Sequence, residues 1–408
     1  MLPRRPLLAI LAWSLMTSSA IAADPPDGAR LYDDVKRYGT FGVHRYGSPG
    51  AEAALDWIAG ELAAAGLAVT SQRFAMDRQY VFDEGALAVA GQRVPVVPQW
   101  WIPEDRASFD LRAPLVASGE APGAFVHLKL PFDRGAYLND RHREALAVAF
   151  ARHPAAVLLS IEHPSGEVFA YNVDQEATPW PVPVLLVAPK DASIVAAAER
   201  SGTPVTVSIR GSYRHNVAGR NIVARLDRGR GRSLVVSTPV TSWFTSTCER
   251  GPGIAAFLAA ARQARSFSNL DLVFVATSGH EIGHGGMAHF MRDGAPSPEN
   301  TVAWVHFGSS LACHDTAVKA ILSSTSLAGL AARHFAAVGG TQLSGERAAI
   351  GEMREVHAAG YANFLGMAAS HKYFHTPADD ASRTGPELLA PMVAAFAGAL
   401  AEIAASVK

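Results

Sequence analysis

One stretch of the sequence, residues 272–276, is apolar at every position, and the segments 234–237 and 302–307 are nearly as apolar. Strands without alternation of polar and apolar side chains are buried on both faces. A helical pattern over residues 253–264 separates segment 234–237 from segment 272–276. We therefore predict an α/β fold with a mixed, mostly parallel central sheet and helices on both faces.

The ends of this domain carry helical patterns. Over residues 51–69, Leu55, Ile58 and Leu62 recur at helical spacing, Gly66 suits the end of the helix, and a short strand follows. Apolar residues at helical spacing from 389 to 403 predict a last helix that closes one face of the sheet.

The middle of the chain has a different character. Short β-like runs at 125–130, 157–161 and 182–187 alternate with Pro and Gly, which is typical of a separate β-rich module. The predicted organisation is one domain formed by residues 23–75 and 211–408, with an inserted module at 76–210.

The first 22 residues have the pattern of a signal peptide. Arg4 and Arg5 precede an apolar run over residues 7–16, and Ala20-Ile21-Ala22 matches a signal-peptidase site. The alternative, an uncleaved anchor, needs a longer apolar run, of about 20 residues. We predict a secreted or periplasmic protein that has no membrane contact after cleavage.

Charge and cysteine content restrict the partners and the metal chemistry. With 36 basic and 37 acidic residues, no overall field attracts nucleic acid. The two cysteines, Cys248 and Cys313, are too few for a thiolate zinc finger, so a metal would depend on His and carboxylates. Export makes a disulfide possible, but the spacing does not establish one.

Polar clusters follow the predicted strands at the point where each strand ends. In open α/β sheets, the loops at the carboxyl ends of the strands hold the ligands. The clusters lie at 238–241 with 248–251, at 278–284, at 306–309, and at 373–379 before the last helix.

The order and spacing of these clusters resemble those of the zinc aminopeptidases with a protease-associated insert. The resemblance covers nearly the whole chain after residue 22. It includes the opening Arg45-Tyr46-Gly47-Ser48-Pro49-Gly50, the insert segment Pro181-Val182-Pro183 and the lead-in Asn221-Ile222-Val223. It implies the zinc-peptidase fold, with residues 76–210 as the insert. The related glutaminyl cyclases are similar in fold and work with a single zinc ion.

The resemblance also implies a reduced metal site. The family binds two zinc ions, but its first His falls on Pro239 and its later Asp on Gly308, so both ligands private to one metal are missing. The three positions that serve the other metal hold Glu249, Glu281 and His375. Two carboxylates and one imidazole with an open fourth position form a reasonable catalytic zinc site. The expectation is one zinc ion per chain, bound by these three residues.

The family's catalytic Glu falls on His280, and a neutral imidazole is able to act as a general base. We predict hydrolysis of a peptide or small amide bond by zinc-activated water, with His280 as proton acceptor. The alternative is an inactive binding protein that keeps the fold and the cleft. The three ligand candidates also have simpler interpretations. A carboxylate such as Glu249, beside Arg250 near a helix start, serves as a cap or an ion-pair partner. Glu281 is able to accept from backbone amides, and His375 to donate to a buried carbonyl.

Residues 280–284 also spell H-E-x-x-H, the zincin motif, in which a helix presents two His to zinc. Gly279, Gly283, Gly285 and Gly286 each cost about 1 kcal/mol in a helix, so the sequence favours a turn here.

Several neighbouring residues have open roles. Asp379 is expected to orient His375 or cap the last helix, and His306 either replaces the lost Asp in part or is a core residue. Trp243 and Phe244 are expected to fill the emptied metal pocket or form a substrate wall. For the two cysteines, both a disulfide beside the site and free thiols stay open.

Overall fold

The computed structural model describes residues 26–116 and 121–407. The predicted signal peptide, residues 1–22, lies outside the described residues. The strands in the described part are β1 (Ala68–Val89), β2 (Gln92–Pro98), β3 (Phe109–Ala113), β4 (Leu115–Val116), β5 (Phe125–Pro131), β6 (Ala156–Glu162), β7 (Val184–Val187), β8 (Val205–Leu226), β9 (Ser233–Pro239), β10 (Asp271–Thr277), β11 (Thr301–Phe307), β12 (Thr316–Ser323), β13 (Thr341–Ser344) and β14 (Phe364–His371).

The α-helices of the described part alternate with these strands along the chain. They are α1 (Gly28–Gly39), α2 (Pro49–Ala64), α3 (Asp140–Phe150), α4 (Ala192–Ser201), α5 (Thr247–Arg262), α6 (Gly285–Asp293), α7 (Ala328–Phe335), α8 (Met353–Ala358) and α9 (Pro386–Ala405). α9 is long and apolar enough to cross a membrane, but half of it is buried and its apolar side packs on the domain core.

The central sheet is mixed, with a parallel middle, as predicted. Strands β10, β9, β11 and β14 are parallel neighbours, and β8 and β12 flank them in antiparallel pairing. Side chains of β10 show why its sequence does not alternate. Leu272, Phe274 and Ala276 enter the core beneath α1, α2, α5, α7 and α9. Val273 and Val275 enter a second core with α6 and α8 on the opposite face. Both faces are covered, so both need apolar residues.

The β-rich region has a core of its own, built from β5, β6, β7 and the aromatic residues around Trp100 and Trp101. The β-like runs predicted at 125–130, 157–161 and 182–187 are confirmed as these three strands. The long strands β1 and β8, each of 22 residues, pair with each other and continue from this region into the central sheet. The predicted boundaries at 75/76 and 210/211 fall inside these strands.

One predicted boundary was wrong. The helix expected at 253–264 begins at Thr247, so Glu249 and Arg250 lie in its first turns, and Pro252 lies inside it. Ser246 before it adopts a left-handed conformation and gives no side-chain cap. The cap comes instead from Asp379, which is distant in sequence and is described below.

Candidate functional site

The polar loops that follow the central strands meet at one edge of the sheet. The Thr241 hydroxyl, after β9, lies 2.6 Å from Glu281 Oε2 and accepts the backbone N–H of Gly279 after β10 at 2.7 Å. The backbone N–H of Ser310, after β11, donates to the Glu249 carbonyl at 2.7 Å. The predicted convergence of these loops is therefore present.

A buried arginine lies within this cluster. The side chain of Arg250 is 1% exposed, its Nε donates to the Thr241 carbonyl at 3.0 Å, and its Nη2 lies 2.9 Å from Glu249 Oε1. Burial alone would raise the pKa of Glu249, but the positive charge of Arg250, together with His375, lowers that pKa to about 2. Glu249 is therefore the ionised partner of a guanidinium at neutral pH.

His375 is the second predicted ligand that reaches Glu249. Its Nε2 lies 3.4 Å from Glu249 Oε1, and both side chains are buried. Neither His375 nitrogen has a hydrogen-bond partner in the part of the chain that the structure describes, while Glu249 Oε2 accepts the Ser242 hydroxyl at 2.9 Å. His375 also has a positive φ of 56°, an uncommon backbone conformation for a residue with a side chain.

Glu281, the third predicted ligand, is already bonded at both oxygens. Its Oε1 accepts the backbone N–H of Tyr46 at 2.7 Å, and its Oε2 meets Thr241. Burial raises the pKa of Glu281 although these hydrogen bonds oppose the rise. The carboxyl is thus a bridge between the opening segment of the domain and the loop after β9.

A zinc ion needs several ligand atoms around one point. Within the described residues, three such atoms lie within 4.8 Å of one another at Cys248, Cys313 and His371, and those two cysteines form a disulfide. Glu249, Glu281 and His375 do not form such a group, and Arg250 already supplies Glu249 with a cation. The residues as arranged do not fit a zinc ion with three protein ligands. The predicted ligand set stays a prediction.

His280, the predicted proton acceptor, lies beside a second buried carboxyl. Its Nδ1 is 3.2 Å from Glu352 Oε1, and the Thr277 hydroxyl lies within 3.0 Å of both Glu352 oxygens. Burial raises the pKa of Glu352 to about 8, so this carboxyl keeps its proton at neutral pH. Burial, and then the charge of Arg250, lower the pKa of His280 well below its usual value, so its ring is neutral.

A cavity of about 490 Å³ opens beside His280. This volume is in the range of small-molecule sites. Three imidazoles line it, and each is fixed through Nδ1: His280 by Glu352, His284 by Glu355 at 3.0 Å, and His306 by Ser237 at 2.8 Å. His306 is therefore a buried, hydrogen-bonded residue, as one alternative expected, and it also lines the cavity.

Asp379 has a role that differs from both expectations. Its two oxygens accept the backbone N–H groups of Cys248 and Glu249 at 2.9 Å, which caps α5 rather than the last helix. Its imidazole neighbour is His371, at 3.5 Å, rather than His375. The prediction for Asp379 was wrong because a cap supplied from 130 residues away has no local sequence signal.

The structure decides three further points that the sequence raised. Cys248 and Cys313 form a disulfide next to the first turn of α5. Residues 278–284 form a turn, and helix α6 begins only at Gly285, so the helix that a zincin needs is not present across the motif. Trp243 is buried, donates to Asn172 at 2.9 Å and packs against Trp100, so it joins the core of the β-rich region.

Sequence reasoning placed Thr241 in a polar cluster without giving it a role, and it missed Glu352 and Glu355 as members of the site. Glu352 and Glu355 lie on or next to the short helix α8, which comes from outside the four polar clusters and packs against α6. No spacing in the sequence connects them to His280 or His284. Arg250 did have a signal, because it directly follows Glu249.

The sheet order and the cleft at the carboxyl ends of its strands define an open α/β fold. No family model matches the sequence, and no curated protein matches it. Solved structures with this fold do match over nearly the whole chain.

A zinc aminopeptidase from Bacillus subtilis is 16% identical, with a TM-score of 0.70, and the match covers 93% of this chain and 96% of that one. A peptidase M28 precursor from Shewanella amazonensis is 16% identical, with a TM-score of 0.70 and 92% of each chain covered. A glutaminyl cyclase from Fimbriiglobus ruber is 12% identical, with a TM-score of 0.50, 93% of this chain and 98% of that one covered. The protein has the fold of the zinc aminopeptidases.

Proposed function

We propose that this protein is an exported binding protein that keeps the aminopeptidase fold and uses its cleft to hold a small ligand without a catalytic zinc ion. The observation that carries the proposal is the buried ion pair between Arg250 and Glu249. A side-chain cation stands beside the carboxylate on which a zinc site would depend.

Electrostatics argue against adding a second cation at this point. Two unit charges 4 Å apart repel each other by about 4 kcal/mol at an effective dielectric constant of 20, and the double charge of zinc doubles that figure. A guanidinium group keeps its charge at any ordinary pH. Glu281 does not compensate, because its oxygens are bonded to Tyr46 and Thr241 and its pKa is raised.

A second candidate, a single-zinc hydrolase that acts on an amide bond, has one observation in its favour. Glu249 Oε1 and His375 Nε2 are buried, lie 3.4 Å apart and make no hydrogen bond within the described residues, although Oε1 is also the atom paired with Arg250. Such a pair is what a metal ion would satisfy. This function would require Arg250 to move away from Glu249. It would also require Glu281 to release its two hydrogen-bond donors, with His280 as the proton acceptor.

Metal analysis of the exported protein, purified without chelator, separates the two functions. We expect much less than one zinc ion per chain and no release of nitroaniline from aminoacyl-nitroanilide substrates, with or without added zinc. About one zinc ion per chain, lost in Glu249→Gln and His375→Ala variants, together with hydrolysis, would establish the hydrolase instead.

A further inference from the structure

The cavity beside His280 has a one-sided charge. Arg134 and Arg354 lie on its wall with the three imidazoles, and no Asp or Glu side chain lines it in the part of the chain that the structure describes. Neither arginine has a carboxylate within ion-pair distance among those residues. A ligand with a free amino group would find no carboxylate acceptor in this cavity, whereas an anion would find two guanidinium groups.

The hydrogen bonds of His306 fix the ring so that it presents a donor. The indole N–H of Trp304 donates to Ser237 Oγ at 2.8 Å. Among the described residues, His306 Nδ1, also at 2.8 Å, is the acceptor left for the hydrogen of the Ser237 hydroxyl. A neutral imidazole that accepts at Nδ1 carries its hydrogen at Nε2. The atom of His306 left for a ligand is therefore an N–H donor.

The other two rings are held by different partners. The Glu352 carboxyl lies at hydrogen-bond distance from His280 Nδ1, whereas His284 Nδ1 lies 3.0 Å from Glu355 Oε1 and 3.3 Å from an Arg354 nitrogen. The rings of His280 and His284 lie with their centres 4.6 Å apart. The three imidazoles and the two arginines therefore line one cavity, and the donor among the imidazoles is that of His306.

The remainder of the wall is mostly apolar and aromatic, with Asn172, Ser309 and Ser370 as its other polar side chains. Tyr137, Ile350 and Phe374 line it with several alanines, and the guanidinium of Arg354 lies 6.0 Å from the Tyr137 ring centre. This surface suits a hydrophobic group of the size of one or two amino-acid side chains.

We infer that the cavity binds a small carboxylic acid with a hydrophobic body and no free amino group, such as an N-acylated amino acid. The carboxylate meets Arg134, Arg354 and the Nε2 donor of His306, and the body lies against Tyr137 and Phe374. This inference rests on the proposed function, since it treats the cleft as a binding site that contains no zinc ion.

Isothermal titration calorimetry with three matched probes tests the ligand class. N-acetylphenylalanine has the carboxylate and a blocked amine, N-acetylphenylalaninamide lacks the carboxylate, and phenylalaninamide has a free amine instead. We expect the acid to bind at least about tenfold more tightly than either amide, because a hydrogen bond to a charged group is the stronger kind. Equal binding of the acid and the amides, or no binding of the acid, would overturn the inference.

Two variants connect the affinity to the cavity. Arg354→Gln and Arg134→Gln are expected to weaken acid binding about tenfold each. Arg93→Gln, at an exposed arginine paired with Glu84 away from the cavity, should leave it unchanged. Equal melting temperatures for the three variants confirm that they fold. Acid binding that survives both cavity variants places the ligand elsewhere and contradicts the inference.

The same titration after chelator treatment distinguishes this inference from the proposed function. Acid binding that disappears with the chelator would be binding to a metal ion, and both proposals would fail. Acid binding that persists supports the cavity, while a metal-free protein that binds no acid leaves the proposed function intact and removes only this inference.

Discussion

At the scale of single residues, the site differs from its expected chemistry through Arg250. The sequence places this arginine next to Glu249, and the helix that begins at Thr247 turns it into the buried cluster. A buried carboxylate needs a cation or a proton. In this protein the cation is a side chain, and its charge also contributes to keeping His280 and His306 neutral.

Removal of Arg250 should leave a vacancy that a metal ion can fill. Arg250→Ala is expected to lose about 3–5 kcal/mol of stability, because Glu249 stays buried without its partner. Added zinc should raise the melting temperature of Arg250→Ala by binding Glu249 and His375, and should leave the unsubstituted protein unchanged. Differential scanning fluorimetry with and without zinc measures both effects.

The double variant Arg250→Ala/Glu249→Ala is the control, since it has neither the buried charge nor the ligand. Its melting temperature should not respond to zinc. A zinc response in the unsubstituted protein equal to that of Arg250→Ala would show that the guanidinium does not exclude the metal.

At the scale of elements, the start of α5 depends on a residue from the other end of the domain. Asp379, in the loop before α9, caps α5 through the N–H groups of Cys248 and Glu249. This contact ties two loops of the site together and sets where Glu249 and Arg250 lie. The nearby disulfide between Cys248 and Cys313 fixes the same turn to the loop after β11.

Asp379→Ala should destabilise the protein by about 2–3 kcal/mol, since it removes a cap and leaves two buried N–H groups without acceptors. Asp380→Ala is a matched control, because the adjacent Asp380 caps only the short helical turn at Ala381–Arg383 on the surface and should cost less than about 1 kcal/mol. Urea unfolding at neutral pH measures both. Equal losses for the two variants would contradict the assigned cap.

At the scale of the whole molecule, buried neutral histidines make the fold sensitive to acid. Burial lowers the pKa of His44, His127 and His163 to about 4, and burial with the charge of Arg250 lowers that of His306 to about 3. The unfolded chain binds these protons at about pH 6.5. Stability from these groups is therefore complete above about pH 6.5. It declines as the pH falls from about 6.5 toward the folded-state pKa values of about 3 to 4.

Glu352 acts in the opposite direction. Because its folded pKa is about 8, its contribution is complete below about pH 4.5 and declines as the pH rises from there through 8. Each proton changes stability by about 1.4 kcal/mol per pH unit, so several histidines outweigh one carboxyl. The net expectation is a loss of stability in mild acid.

The urea midpoint should be clearly lower at about pH 5 than at about pH 7. A His127→Gln variant removes one of the titrating groups and should make this decline shallower, whereas His153→Gln, at an exposed position, should not change it. An unchanged or higher midpoint at about pH 5 would refute the assignment of these histidines as buried and neutral.

The sequence by itself determined the fold class and the meeting of the polar loops. Unbroken apolar strands such as 272–276 are stable only under helices on both faces, and parallel strands bring their carboxyl ends to one edge. These are local patterns, which a single chain displays directly. The grouping of Glu249 and His375 in one cluster came instead from the resemblance to the zinc aminopeptidases.

Only the tertiary structure decided what the cluster holds. The start of α5 depends on Asp379, the oxygens of Glu281 are taken by Tyr46 and Thr241, and Glu352 reaches His280 from α8. Each contact joins segments distant in sequence, and each changes the charge or the hydrogen bonds of a side chain without leaving a periodic pattern. A carboxylate has the same sequence pattern whether its partner is a zinc ion, an arginine or a backbone amide. Only the buried contacts of the folded chain determine which of these partners it has.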